Sequence, residues 1–452
     1  MSVRVLVPSG VLGLGFDAEA LAEGVRRKPD IICIDGGSTD SGPFYLGTAT
    51  SKYAESVCYS EWSQLMAARH ELGVPLMIGS CGTCGADAMV DWMYEMTVRI
   101  AAEQSQSVTI ARIYSEQDKS VLKTAINEGR IACLEPEIHL DEQHIENITH
   151  CVALAGVEPF QRAIAAGADI VLAGRATDTA IIAALPLMRG ADAGACWHGA
   201  KTAECGAFCT THPGSGVILL DIDEDGFTVE PMASEARCTP HSVSAHMLYE
   251  NANPFILYEP GGYLDVTEAE YSAIDDRRVR VEGSRWTPTE PYTVKLEGAV
   301  LAGYQTIMLA LIRDARYCQN IDIWVEKLRD VSTMQIEKVM RLNRDEFSLE
   351  FRLIGKDAAL GALETASGGL IREVGVLVII TAQSQSEATE ISRLINPYLL
   401  HLSLTEDEDM PTFAFPYSPA HTERGVLYEY ALHHVLHLSS PTQGFRMQID
   451  RV

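Results

Sequence analysis

The chain has 452 residues, 47% hydrophobic and 21% charged, an ordinary globular composition with length for two or three domains. Its 35 Lys and Arg stand against 62 Asp and Glu, a formal charge of −27. That field repels phosphate backbones and anionic lipid, so no nucleic-acid or membrane partner is expected; a small anionic substrate held by local amides stays open.

The N-terminal run MSVRVLVPSG reads as a first strand with no cleavage pattern after it, and no stretch reaches the roughly 18 apolar residues of a membrane span. The eleven Cys are odd in number and many sit inside apolar runs, which points to reduced thiols in a cytoplasmic protein.

Through the first 180 residues one theme repeats: a short apolar run, then Gly or Ser, then a helical pattern. VRVLVPSG (3–10) leads to DAEALAEGVRRKP, DIICIDGGS (30–38) to a Gly-rich loop, and VPLMIGS (74–80) to DAMVDWMYEMTVRIAAE. VTIARIYS (108–115), HCVALAG (150–156) and ADIVLAG (168–174) continue the series. Nearly continuous apolar strands imply burial on both faces, so a parallel, doubly wound α/β sheet is expected over 1–190, with a barrel as the alternative. The stretch 191–275 concentrates Gly, Cys, Thr, Pro and His and reads as an irregular segment covering the active site. From 276 to 452 the order strand–helix–strand–strand–helix suggests an α+β, ferredoxin-like module. Met89, Met93 and Met96 have helical spacing and read as core.

Ligands of parallel α/β folds bind beyond the C-terminal strand ends. There the sequence offers Gly36-Gly37-Ser38-Thr39-Asp40, Gly82 and Thr83 in the turn after the third run, and Gly174-Arg175 after the last. Gly permits close backbone approach, amides and hydroxyls favour a negative group, and Arg175 suits a carboxylate or phosphate. The bland alternative is that tight strand–helix turns need Gly. DGGSTDSG resembles the phosphate loop of actin-like kinases, but the second strand of that hairpin is missing, and no dinucleotide or P-loop motif occurs.

Asp35, Asp40 and Asp178 are strand-end carboxylates, open to general acid–base work or to helix capping. Cys81, two residues from Thr83 and opening a helix with Cys84, suits a nucleophile or a tight turn. Glu204, Cys205 and Cys209 form a second cluster near His212. Four thiolates would make a zinc or iron–sulfur site only if the two clusters met; no metal or cofactor is expected. His212, His241 and His246 are proton carriers or ordinary loop histidines.

Three ordered segments, GADIVLAGRATDTA (167–180), HGAKTAECGAF (198–208) and AHMLYENANPFILYEPGGYLDVT (245–267), resemble the AtuA-like family, named for acyclic terpene utilisation. The matching positions are Gly174, Arg175 and Asp178, then Glu204, Cys205 and Gly206, then Leu248, Tyr249, Glu250, Pro254, Tyr263 and Asp265. DGGSTDSGPFYLG and TERGVLYEYALHHVL extend the likeness over nearly the whole chain. The chain departs from it where many relatives carry an NAGG-type loop and GSCGTCG (79–85) stands here. The resemblance implies catabolism of small or branched carboxylic acids, often as CoA thioesters.

The expected protein is therefore an enzyme of addition–elimination or isomerisation beside a carbonyl. Cys205 or Cys81 would be the thiol, Asp178 and Glu204 the proton carriers, and Arg175 with the Gly-rich loops the anion holder. A thiol-dependent hydrolase and a non-catalytic binding or scaffold subunit are the alternatives. A homo-oligomer is expected.

Overall fold

Runs such as VRVLV and IICID carry aliphatic residues in both strand orientations, so they are stable only when covered on both faces. In the computed structural model, which describes residues 2–365, 369 and 371–452, the chain divides into two compact units, Met1–Val300 with Glu429–Val452, and Leu301–Tyr428. The first unit opens with β1 (Val3–Val7), α1 (Ala18–Arg26), β2 (Ile31–Asp35), α2 (Phe44–Thr48), α3 (Glu55–Leu72), β3 (Leu76–Gly79), α4 (Asp87–Glu103) and β4 (Thr109–Tyr114). Next come α5 (Lys119–Asn127), β5 (Ile131–Cys133), α6 (Glu142–Asn147), β6 (Ile148–Ala153), α7 (Val157–Ala165), β7 (Ile170–Ala173), α8 (Ala180–Met188) and α9 (Ala193–Ala203). The carboxylates of Asp17, Asp118, Asp141 and Asp192 accept from first-turn amides and so start α1, α5, α6 and α9. Then follow β8 (Ile218–Ile222), β9 (Gly226–Pro231), α10 (Pro240–Ala245), β10 (Ile256–Glu259), β11 (Gly262–Asp265), β12 (Glu270–Ala273), β13 (Val279–Glu282), β14 (Arg285–Pro288) and β15 (Tyr292–Ile312).

The second unit takes the end of β15, then α11 (Ala315–Gln319), α12 (Ile321–Gln335), β16 (Phe347–Ile354), β17 (Val374–Ala382), α13 (Gln385–His401) and β18 (His421–Tyr430). β17 runs antiparallel between β15 and β16. Met308, Trp324, Leu328, Val376 and Ile391 form its core. The chain then returns to the first unit with β19 (His434–Leu438) and β20 (Arg446–Arg451).

The first unit carries a ten-stranded mixed sheet in the order β12-β13-β9-β8-β1-β2-β3-β7-β4-β20. Its middle five strands, β1-β2-β3-β7-β4, are parallel. α1, α3 and α4 pack together and α7, α8 and α9 pack together, so the strands have helical cover from two layers. Met89, Met93 and Met96 are buried on α4, as their spacing predicts.

Three expectations change. The sheet is mixed, because β8, β9, β12 and β13 extend one edge antiparallel and β20 closes the other. HCVALAG does not join the parallel block; as β6 it pairs antiparallel with Leu296–Val300 of β15 in another sheet. The stretch 191–275 is not irregular: it contains α9, α10, three strands of the large sheet (β8, β9 and β12) and the β10–β11 hairpin, hidden in the sequence by Gly and Pro breaks. The sheet is open, and no closed barrel forms among the described residues. No helix among them is long and apolar enough to cross a membrane.

Candidate active site

β2, β3 and β7 are neighbours in the parallel block, so their C-terminal ends lie side by side. The turns that leave them are laced by backbone bonds: Gly36 N donates to Gly79 O (2.8 Å), Ser80 N to Gly174 O (2.9 Å) and Arg175 N to Gly85 O (3.1 Å). A Cβ on Gly36 would stand 2.3 Å from Ser80 O, and one on Gly85 2.2 Å from Arg175 N. These glycines serve loop-on-loop contact, which brings Asp35, Ser80, Arg175 and Asp178 to one place.

Arg175 is 6% exposed. Its Nε donates to Glu297 Oε2 (2.9 Å), Nη2 to Glu297 Oε1 (3.3 Å), and Nη1 to Ser80 Oγ (3.0 Å) and Ala176 O (3.2 Å). Asp178 Oδ1 lies 3.6 Å from Nη1. Four of the five guanidinium N–H groups are thereby taken. Thr39 Oγ1 also donates to Glu297 (3.1 Å), and Thr39 O accepts from the Tyr430 hydroxyl. Burial alone would raise Glu297, but the Arg175 charge outweighs it and holds the carboxyl below its usual range.

At the end of α9, Lys201 Nζ donates to Glu204 Oε1; both side chains are buried. Glu259, the last residue of β10, accepts from the Thr179 hydroxyl. Five carboxyl groups (Asp35, Asp178, Glu204, Glu259, Glu297) thus share three cations, the buried Arg175 and Lys201 and the half-exposed Lys295, which stands 3.7 Å from Glu297 Oε1. The surplus explains the titration. Burial, then the Asp178 carboxylate, pushes Asp35 well above the usual range. Burial raises Asp178 against the pull of Arg175 and Lys201. Glu204 is pushed up to about 8, by burial first and then by Asp178 and Glu259 against the pull of Lys201. Burial pushes Glu259 up to about 7. Lys201 loses hydration, yet Glu204 more than restores its charge and its pKa rises. Excess carboxyls retain protons while the ammonium stays charged. Asp35 Oδ2 accepts from Gly37 N (2.7 Å), but the buried Oδ1 has no protein partner.

The sequence-predicted residues divide. Thr39, Arg175, Asp178 and Glu204 belong to the cluster, and Cys205 follows Glu204, with Glu204, Asp178 and Lys201 as its charged neighbours. Burial, then Glu204, pushes the Cys205 thiol up, away from thiolate. Gly36, Gly37 and Gly174 are turn residues; a Cβ on Gly174 would meet Ser115 Oγ at 2.7 Å. Ser38 and Asp40 bond each other at the surface (2.6 Å). Gly82 packs on Met89, and Thr83 Oγ1 is buried without a protein partner. Cys81 is fully buried, and burial raises its thiol, then Asp35. The thiols of Cys81, Cys84, Cys205 and Cys209 do not gather into a metal-sized group among the described residues; the free thiol of Cys209 instead shares a hydrogen bond with that of Cys238. His246 is buried and lowered to about 4 by that burial.

Lys201, Glu259 and Glu297 were not singled out. Each left a signal. Lys201 is the one charged residue of α9 and stands three before its C-cap, Glu204, and Glu297 is a lone acid in an apolar strand. Glu259 ends a strand before Pro260-Gly261.

Comparison with protein families matches residues 77–406 to the model of the acyclic terpene utilisation family protein AtuA. No curated protein and no solved structure matches.

Proposed function

The chain belongs to the acyclic terpene utilisation family AtuA, and from that premise we propose that it is an enzyme of small or branched carboxylic-acid catabolism. It performs acid–base addition–elimination or isomerisation beside a carbonyl, on the free acid or its CoA thioester. The observation that carries the reading is the burial of Glu204 and Glu259 with Lys201: Glu204, raised to about 8, is mostly protonated at neutral pH and Glu259, raised to about 7, is half protonated, so a proton is there to donate.

In this reading Glu204 is the general acid and Lys201 stabilises the oxyanion that grows on the substrate carbonyl. Asp178, 28% exposed at its side chain, takes the proton from carbon. Arg175 fixes the floor of the site through Glu297 and Ser80 and contributes one remaining donor to the substrate. Cys205 packs beside the acids; its raised thiol argues against a hydrolase that starts from thiolate. The doubly wound description of the first unit draws support from its two helical layers, and the ferredoxin-like description of the second from its element order. With this activity goes a cytoplasmic homo-oligomer acting on small acids, and the charge of −27 speaks against a nucleic-acid partner.

The test is solvent-proton exchange. Branched acids and their CoA thioesters are incubated with the protein in D2O and followed by NMR. Deuterium should enter next to the carbonyl of at least one compound, and Glu204→Gln should slow it about 10²–10⁴-fold. Binding without exchange or turnover across the panel would sink the catalytic reading and leave a metabolite-binding subunit.

A further inference from the structure

We propose that His139, Asp141 and His144 hold a divalent transition-metal ion, with zinc as the natural occupant, on the first unit. The inference is independent of the acid cluster and of the reaction assigned to it. The three residues form an H-x-D-x-x-H run between β5 and the first turn of α6. One donor atom from each lies within 4.8 Å of the others, and among the described residues no other group of three His, Cys, Asp or Glu does so.

Asp141 organises the group. Its Oδ1 accepts from the His144 amide (2.9 Å) and starts the helix, which fixes the carboxylate. The same oxygen lies 2.7 Å from His144 Nδ1. The other oxygen, Oδ2, stands 3.6 Å from His139 Nε2. That gap is too long for a hydrogen bond but close to the edge of a zinc tetrahedron, about 3.4 Å for bonds near 2.1 Å. The two imidazoles stand nearly perpendicular, 85° apart with centroids 5.6 Å apart, close enough for a nitrogen of each to reach one ion together with the Asp141 carboxylate. Two nitrogens and one carboxylate oxygen favour zinc or its neighbours over calcium or magnesium, which take oxygen alone.

A second observation favours a cation here. From residue 131 to 161 the sequence has no Lys or Arg, while Glu135, Glu137, Asp141 and Glu142 all fall in that stretch; Glu146 also lies there but is matched by Lys123 (2.6 Å). Three protein ligands leave a fourth position for water or another donor. The side chains of His139, Asp141 and His144 are 80%, 47% and 51% exposed, so the ion enters from solvent without opening the fold. A bound ion would also tie the turn before α6, where the chain otherwise has little regular structure.

The experiment uses the untagged full chain, stripped with chelator and titrated with Zn2+ against a chromogenic competitor, and with Co2+ for its visible spectrum. One equivalent should bind, and Co2+ should show the absorption of a tetrahedral nitrogen–oxygen site. His139→Ala and His144→Ala should each weaken binding at least tenfold. His139 is so exposed that its loss leaves folding intact, and thermal unfolding checks this for both variants. All eleven cysteines are untouched, so binding that survives both substitutions belongs to thiols and overturns the assignment. Absence of stoichiometric binding overturns it equally.

Discussion

Glu204 and Lys201 show how a short local pair acquires a chemical property from its surroundings. Three residues apart at the end of a helix, on a protein surface, they would make an ordinary ion pair worth little. Buried beside Asp178 and Glu259, the acid instead keeps its proton up to about pH 8. The ordinary value is 4.5, so between 4.5 and 8 the folded chain holds a proton that the unfolded chain has released. Stability must then fall as pH rises through that window and level off above it. Glu259, raised to about 7, adds the same sign over a narrower range. Urea unfolding at several pH values should show this slope, and Glu204→Gln should make it shallower. An unchanged slope in the variant would mean that the carboxyl is ionised in the native protein. The same proton predicts that turnover declines above about pH 8, and that the Gln variant loses the decline with most of its rate.

Cys205 makes the contrary case at the same scale. An ECG sequence reads as a reactive thiol, yet the acids beside it and its burial both oppose thiolate. Alkylation at neutral pH followed by peptide mass mapping should find Cys205 slow, with a rate that climbs only in alkali. Fast labelling with a low apparent pKa would overturn the acid-cluster electrostatics. Asp178 is visible in the sequence as a carboxylate just past a strand end, and Glu204 as the acid beside the Cys205 and Cys209 pair. The sequence hid Glu297, because a single acid in YTVKLEGAVL gives no indication that Arg175, far away in the chain, will meet it. Replacing Glu297 by Ala takes from the buried guanidinium its bidentate partner and leaves it only Asp178, at 3.6 Å, as ion-pair partner, a loss of about 3 kcal/mol by the usual cost of such breaks. Thermal unfolding should read it, and Glu297→Gln should lose less.

Elements explain the glycines. Their positions at strand ends were legible from the alternation of apolar run and helix, which also gave β1, β2, β3, β4 and β7. Their purpose was not, since a turn glycine and a ligand-facing glycine look alike in a sequence. The coordinates make Gly36 a packing residue: any Cβ there would run into Ser80 O at 2.3 Å. Gly36→Ala should therefore separate the β2 and β3 turns, cost at least about 1–3 kcal/mol, and loosen Asp35 and Ser80 together. Gly42, whose added Cβ would meet nothing within 4 Å, is the control for crowding, although its positive φ of 101° still strains a side chain. If both Ala variants lose the same stability, crowding between the turns is not the reason for Gly36. Pairing partners were less legible than strands. HCVALAG has the composition of its parallel neighbours, and only the distant β15 decides that it runs antiparallel elsewhere.

At the scale of the molecule the chain leaves its first unit near residue 300 and comes back at 429. The returning segment is structural in that unit. β20 pairs with the whole of β4, from Arg446 opposite Tyr114 to Arg451 opposite Thr109, and Val108 and Val452 exchange both backbone bonds (2.9 and 3.0 Å). Arg112 reaches Asp450 (2.7 Å), and Leu436, Leu438 and Phe445 enter the main core. Removing everything after Tyr428 would strip the edge from β4, delete those three side chains and expose the core they cover. At roughly 1.5–3 kcal/mol each, their loss is about 5 kcal/mol or more, comparable with the whole stability of many domains. A chain cut after Tyr428 should be produced mainly as aggregate, and any soluble fraction should bind a hydrophobic dye and unfold without a sharp transition. Cutting after Arg446 should cost less than the cut after Tyr428, because β19 and Phe445 remain. Sharp, unshifted unfolding of the Tyr428-truncated chain would show that the first unit is already whole by residue 300, and that β19 and β20 only decorate it.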